Sequence, residues 1–399
     1  MIYDIIIIGA GIAGLYAAYS IQKLSPNTKF LILEKNEKKY IGGRANNERF
    51  YGQLIAPGAG IGRRKKDLLL YKLMQELEIP INEFTSSHLY SKLIDPINIK
   101  ETIDLLKSKY EETNETFKVF AKKILKDKYK NFILSSGYTD YEKEDVHDVL
   151  YNYGMDDNTG SLKAFSVPWS KLVLQLAEKI GINKIKFSSN VKNITSSEHY
   201  EIETDNKKYS CNKIIMATTI TSIRNLLKMP IYKDIEGQPF MRTYGKFTKP
   251  SIDIMKEYVK GYTVLPGPLQ KIIPINSDDG IYMIAYNDNA NTNKLKDYQE
   301  NTEENRIHYC KLLEKALGIP KKSIKLIGIK VFYWYIGTHY YKPLNKNLYS
   351  NRNDFIKKAQ HPEDNMLVVG EVVSKNQGWV NGALDSVKIV LTKKWLEDK

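Results

Sequence analysis

Three features of the 399-residue sequence predict an α/β protein with a parallel sheet and a second domain. Ile5, Ile6, Ile7 and Ile8 run without alternation into Gly9, Gly11 and Gly14, spaced GxGxxG ahead of a helical pattern. A second apolar strand, 30–33, ends in Glu34, and near the C-terminus a third buried strand, 366–369, ends in Gly370 and Glu371 before a glycine-marked helix. Apolar runs of this kind belong to strands covered on both faces. A chain of this length supports two domains with a large core.

Taken in order, the first glycine permits the tight turn, the second lets the backbone approach a pyrophosphate, and the third lets the helix from 13 to about 24 lie close to the sheet. Phosphates would sit at that helix N-terminus. Glu34 stands about 20 residues beyond Gly14, where a carboxylate accepts hydrogen bonds from a ribose. Strand, glycine turn, helix and acid in this order indicate dinucleotide binding.

After Glu34 come Gly42, Gly43 and Arg44. Two glycines allow another close backbone approach, and a guanidinium beside them pairs with phosphate oxygens. With an acid closing the second strand and Gly-Gly-Arg following it, the chain resembles the flavin amine oxidase family, which includes monoamine and polyamine oxidases. The resemblance implies a Rossmann-like FAD-binding domain and a mixed α+β substrate domain. It also implies that Gly58, Ala59 and Gly60 form a small-residue loop beside the flavin ring. Arg63, Arg64, Lys65 and Lys66 read as a solvated helix start.

From 67 to about 130 the pattern is mostly helical, with Leu69, Leu70, Leu73, Met74 and Leu77 forming an apolar stripe. Pro168 opens a helix running to about 180. Short strands are expected at 191–194, 200–204, 208–211 and 214–217, and Val191 matches the position whose backbone meets the adenine in the family. The division expected by resemblance is 1–75, 165–221 and 354–399 for the FAD-binding domain, with 76–164 and 222–353 for the substrate domain.

On the strand 240–247, Arg242 and Lys246 compete for the place of a lysine that the family bonds through water to flavin N5; outward-facing strand charges are the alternative for both. The stretch 332–343 is dense in aromatics, including Trp334, Tyr335, Tyr340 and Tyr341. Gln377-Gly378-Trp379-Val380-Asn381-Gly382-Ala383 opens a helix expected to run to about 395 and resembles the family's C-terminal flavin signature. Its positive end would favour the charge of reduced flavin. Val380 matches the position whose N–H faces the ring. Trp379 matches one wall of an aromatic cage, with Tyr340 or Tyr341 the other, against an ordinary core role for Trp379. Asn381 stands where an acid is usual and Val387 where a glycine is usual.

The formal charge of +14 is spread among interleaved acids, without a nucleic-acid motif. Two distant cysteines, Cys211 and Cys310, indicate neither a disulfide framework nor a metal site and suit a reducing compartment. Met-Ile-Tyr-Asp enters the first strand directly, and no apolar run reaches membrane-spanning length, so an intracellular, cytoplasmic protein is expected. Neither cysteine falls in the aromatic stretch, where some relatives attach flavin covalently, so noncovalent FAD is expected. The function the resemblance implies is oxidation of an amine by hydride transfer to the flavin, with oxygen as acceptor. A flavin-dependent desaturase or isomerase and a non-catalytic flavoprotein are the alternatives, and the oligomeric state is open.

Overall fold

A computed structural model describes residues 2–155 and 161–398. Its first sheet grows from the isoleucine run. Strand Ile2–Ile8 pairs in parallel with Phe30–Leu33 on one side and with Lys208–Met216 on the other. Ile5 to Ile8 are each at most 4% exposed, because helices cover both faces. On one face Ile12–Leu24, Trp169–Ile180 and Val380–Val390 pack around Leu15, Ile21, Leu176 and Leu384. On the other, residues of Ile220–Leu227 and Arg352–Gln360 close over Ile6, Ile214 and Val368. Apolar side chains on alternate faces thus both find partners, which is why the strand carries no polar face.

Lys208–Met216 is one continuous strand where two were expected, and it serves two neighbours. Its first half pairs antiparallel with Tyr200–Thr204, itself paired with Val191–Ser196. Its second half pairs in parallel with Met366–Val368. The C-terminal segment is thereby returned to the sheet beside the glycine turn.

A second sheet of six strands is built on two long ones, Ile235–Phe247 and Leu326–Tyr341, followed by Ile281–Asp288, Lys271–Asn276, Thr263–Val264 and Leu89–Tyr90. One face packs under Glu303–Leu317 through Met241, Tyr309 and Leu313. The opposite face carries Tyr244 and Met283, with Phe50 and Ile55 packed on them. Helices Ile99–Ser108, Phe117–Leu125, Tyr129–Ser136 and Val146–Tyr151 enclose a separate core around Phe117, Phe132 and Tyr141.

Two further sequence expectations need correction. The region expected to be mostly helical from 67 to 130 is interrupted after Leu68–Glu76 by strand Asn82–Ser87, which pairs with Ser161–Ser166; its polar sequence shows no alternation, and pairing with a distant strand decides its state. The C-terminal helix stops at Val390, because Thr392 caps a new short helix, Lys393–Glu397, by accepting from the Trp395 N–H at 3.1 Å. Among the described residues no helix is long and apolar enough to cross a membrane.

Candidate cofactor and active site

The glycine turn has the stereochemistry its spacing implies. Gly9 takes φ +108°, and a Cβ there would lie 2.5 Å from the Ala217 carbonyl oxygen. At Gly14 a Cβ would lie 2.0 Å from the Gly9 oxygen, so only glycine lets the helix sit this near the strand. Gly11 differs. It is the N-cap of Ile12–Leu24, no side chain caps the helix, and nothing lies within 4 Å of where its Cβ would be. The helix thus begins without a side-chain cap and with open space beside Gly11, a setting that suits an anion.

Glu34 is buried and ties the turn together: one carboxylate oxygen accepts from Ala10 N–H at 2.8 Å and the other from Asn36 N–H at 2.9 Å. The Gly42 N–H donates to the Ala10 oxygen at 3.0 Å, which brings the second glycine loop alongside the first. Gly42 and Gly43 both have positive φ, and Gly43, like Gly11, faces open space. Val191 begins its strand half-buried at the edge of the same sheet.

Arg44 reaches a junction of distant segments. Its Nη1 donates to the Gly337 oxygen at 2.7 Å and to Glu371 Oε1 at 2.8 Å. The Gly378 N–H donates to Glu371 Oε2 at 3.1 Å. His339, 1% exposed, sits 2.5 Å from Glu371 Oε1 through Nδ1, while Ile220 N–H donates to its Nε2 at 3.1 Å. That acceptor role at Nε2 places the ring proton on Nδ1, toward the carboxylate. Burial pushes the Glu371 carboxyl up, but the His339 ring, the Arg44 guanidinium and the Gly378 N–H outweigh it and hold it well below the usual carboxylate range. Gly370, at φ +116°, donates its N–H to Ser386 Oγ at 2.8 Å, anchoring the loop to the last long helix.

Gly58 packs on Arg44, and the Ala59 N–H donates to the Arg44 oxygen at 2.7 Å. A Cβ at Gly60 would lie 3.2 Å from Arg242 Nη2. Arg242 is thus brought to the small-residue loop: it is 4% exposed, with Nη1 3.5 Å from the Ala56 oxygen. Lys246 is not. It is bonded to the Asp279 carbonyl in the turn at the far end of the strand.

Trp379 is half-buried and lies under the Arg63 guanidinium, 3.6 Å from the ring centroid. Arg63 corrects the expectation of four solvated charges. It is 4% exposed and forked on Asp67, with Nη2 2.8 Å from Oδ1, while Lys65 and Lys66 are exposed. Because Asp67 is engaged there, Asn381 caps the next helix, accepting from Leu69 and Leu70 N–H at 3.0 and 3.1 Å. Its Nδ2 also donates to Asp385 Oδ2 at 2.6 Å, a bond that a carboxylate at this position could not make, which accounts for the amide where an acid is usual. Val387 is core, and Val380 is the first residue of its helix.

Trp379 and Tyr341 line one cavity of about 450 Å³, together with Glu144, Asp148 and Arg352. Tyr341 donates its hydroxyl to the Ser374 oxygen at 2.9 Å. Tyr340 is also buried, and burial pushes its hydroxyl up to about 12, but it does not line that cavity. Of the other aromatics, Trp334 donates to the Pro57 oxygen at 2.8 Å, while Tyr335 is 76% exposed.

Sequence reasoning missed His339, Arg63, Lys271, Asp140 and Asp288. His339 stood inside an aromatic run and Arg63 inside a basic one. The other three are single charges in unremarked segments, and only the packing of helices against the second sheet brings them together.

This architecture, a Rossmann-like sheet threaded by three distant parts of the chain and joined to a six-stranded sheet, defines a class of nucleotide-binding fold. Residues 7–66 match the family of NAD(P)-binding Rossmann-like domains. The whole chain has the fold of solved amine oxidases. It superposes on wild-type putrescine oxidase bound to putrescine with a TM-score of 0.75 and 14% identity, covering 98% of each chain. Cyclohexylamine oxidase from Brevibacterium oxydans gives a TM-score of 0.73 and 14% identity, over 99% of this chain and 98% of that one. In sequence the chain is 22% identical to an uncharacterized protein of Acanthamoeba polyphaga mimivirus, over 98% of this chain and 93% of the relative.

Proposed function

We propose that this protein binds FAD noncovalently and oxidises an amine, with oxygen as final acceptor and hydrogen peroxide as product. The observation that carries the reading is the open, uncapped helix N-terminus at Gly11, with Glu34 behind it and Gly43 beside it. The fold shared with two solved amine oxidases supports it.

In this reading the N–H groups after Gly11 hold the pyrophosphate, and Glu34 keeps lone pairs for ribose hydroxyls while bonding the turn. The backbone at Val191 meets the adenine. The loop 58–60, Arg242 and the Val380 N–H line the place of the ring, with Gly370 and Glu371 fixing the loop behind it. Arg44 acts through Glu371, setting the relative position of the first glycine loops and the C-terminal helix. Trp379 and Tyr341 wall the approach, position the amine and limit water. FAD, when bound, supplies the hydride acceptor. This reading keeps the division drawn from the sequence, with 1–75, 165–221 and 354–399 assigned to the cofactor and 76–164 and 222–353 to the substrate.

The test is the purified protein itself. It should be yellow, should release flavin on acid precipitation, and should generate peroxide with an amine and oxygen. Flavin retained in the acid pellet would contradict noncovalent binding, and a protein that stays colourless with added FAD would remove the cofactor assignment.

A further inference from the structure

Behind the loop 58–60 the second sheet buries Lys271, which no step above uses, close to Arg242. Lys271 is 0% exposed, and its Nζ has no hydrogen-bond partner. It lies 4.3 Å from the Tyr286 ring centroid and 2.9 Å from that of Tyr138. Arg242 Cζ lies 4.5 Å from the same Tyr286 ring, and its Nε also lacks a partner. One tyrosine ring therefore spans the interval between two buried cations with unused donors.

The acids nearby are in the opposite condition. Asp288 accepts from Thr139 N–H at 3.1 Å, from the Thr139 hydroxyl and from Gln270 Nε2 at 3.3 Å. Asp140 accepts from the Tyr153 hydroxyl at 2.6 Å. Burial and the neighbouring Asp288 push the Asp140 carboxyl up to about 7, and burial pushes Lys271 down to about 7. Among the described residues no ion pair joins Arg242 to an acid; the groups acting on it are the phenols of Tyr286 and Tyr244. A buried donor without an acceptor costs free energy, and a buried cation more so. The unpaired donors thus lie on the two cations, while both acids already accept bonds from other groups, so the cluster lacks hydrogen-bond acceptors for Lys271 Nζ and Arg242 Nε.

We propose that Lys271 and Arg242 form a subsite for a carboxylate carried by the amine substrate. This rests on the amine-oxidase reading for the other end of the substrate. Arg242, at the loop 58–60, marks the cofactor side of the subsite and Lys271 its inner end. The substrate class is then an amino acid whose carboxylate lies beyond the oxidised carbon. The Tyr138 ring and the carboxylate would share one side of the Lys271 ammonium, so binding turns that ring aside.

The experiment is anaerobic calorimetric titration of the purified protein with 6-aminohexanoate and with hexylamine, which differ in the carboxylate. One charge-assisted contact gives a preference of about 10- to 100-fold for the amino acid. Lys271→Met should abolish that preference, while Lys271→Arg, which keeps charge and donors, should retain it. Equal binding of the two ligands by the wild-type protein overturns the subsite, as does a preference that survives Lys271→Met. The wild-type comparison and Lys271→Arg decide the matter even if Lys271→Met does not fold. The oxidase reading is judged separately by flavin colour in the same cells: preference without bleaching supports the subsite and removes the oxidase, whereas bleaching without preference does the reverse.

Discussion

Glu34 combines two duties that a substitution can separate. Its oxygens already hold the Ala10 and Asn36 N–H groups, and ribose recognition would use the remaining lone pairs. Glu34→Ala should weaken FAD binding strongly, each lost charge-assisted hydrogen bond costing about 1.5 to 3 kcal/mol; titration of both proteins with flavin checks it, and equal affinities would remove the ribose role. Trp379 poses a different question, whether it is wall or core. Since it is half-buried under Arg63, Trp379→Ala should cost well under the roughly 3 to 5 kcal/mol of a fully buried aromatic, leave FAD bound, and slow flavin reduction by a good amine. Thermal unfolding and anaerobic reduction on one preparation read both effects. A large fall in melting temperature with an unchanged reduction rate would make it a core residue.

Among the elements, the glycine-turn helix offers two substitutions with opposite signatures. Gly11 has φ −71° and open space at its Cβ position, so Gly11→Ala should leave the apoprotein as stable as wild type while reducing FAD affinity, because the methyl group enters the space assigned to the phosphates. At Gly14 the Cβ would meet a backbone oxygen at 2.0 Å, so Gly14→Ala should destabilise the apoprotein itself, by about 1 to 3 kcal/mol or more. Denaturation of both apoproteins, followed by flavin titration, distinguishes them; equal loss of stability would mean that the turn is only structural. This helix was legible in sequence because its glycines, its buried strand and Glu34 are local and ordered. The strand Asn82–Ser87 was not, because its partner lies some eighty residues away and its own residues carry no alternation. The break after Val390 was signalled only by Thr392, a capping residue inside an otherwise apolar and basic pattern. The choice between Arg242 and Lys246 could not be read from spacing, since a strand with a register shift between Thr243 and Tyr244 does not preserve simple alternation.

At the scale of the whole molecule, the buried charges between the helices and the second sheet should govern how stability varies with pH. Burial lowers Lys271 from 10.5 to about 7, so between those values the unfolded chain holds a proton that the folded one lacks, and stability should rise with pH across that window. Asp140 acts in the other sense: raised from 3.8 to about 7, it keeps a proton in the folded state, and its contribution falls as pH rises between those values. Lys271→Met should flatten the upper limb and Asp140→Asn the lower one, as read by denaturant unfolding across the range. Limbs unchanged by both substitutions would show that these groups are hydrated in solution. The site as a whole was legible where its residues lie in glycine-marked motifs at the two ends of the chain, and illegible in the middle, where isolated charges acquire meaning only from the tertiary packing.

Anaerobic mixing of the holoprotein with a series of primary amines shows whether this fold and these loops support amine oxidation. Bleaching of the oxidised flavin absorbance by at least one amine, followed by recovery of the colour and release of peroxide when oxygen is admitted, is the predicted result. A holoprotein whose flavin is reduced by none of the amines, including amino acids, while dithionite reduces it fully, would contradict the account.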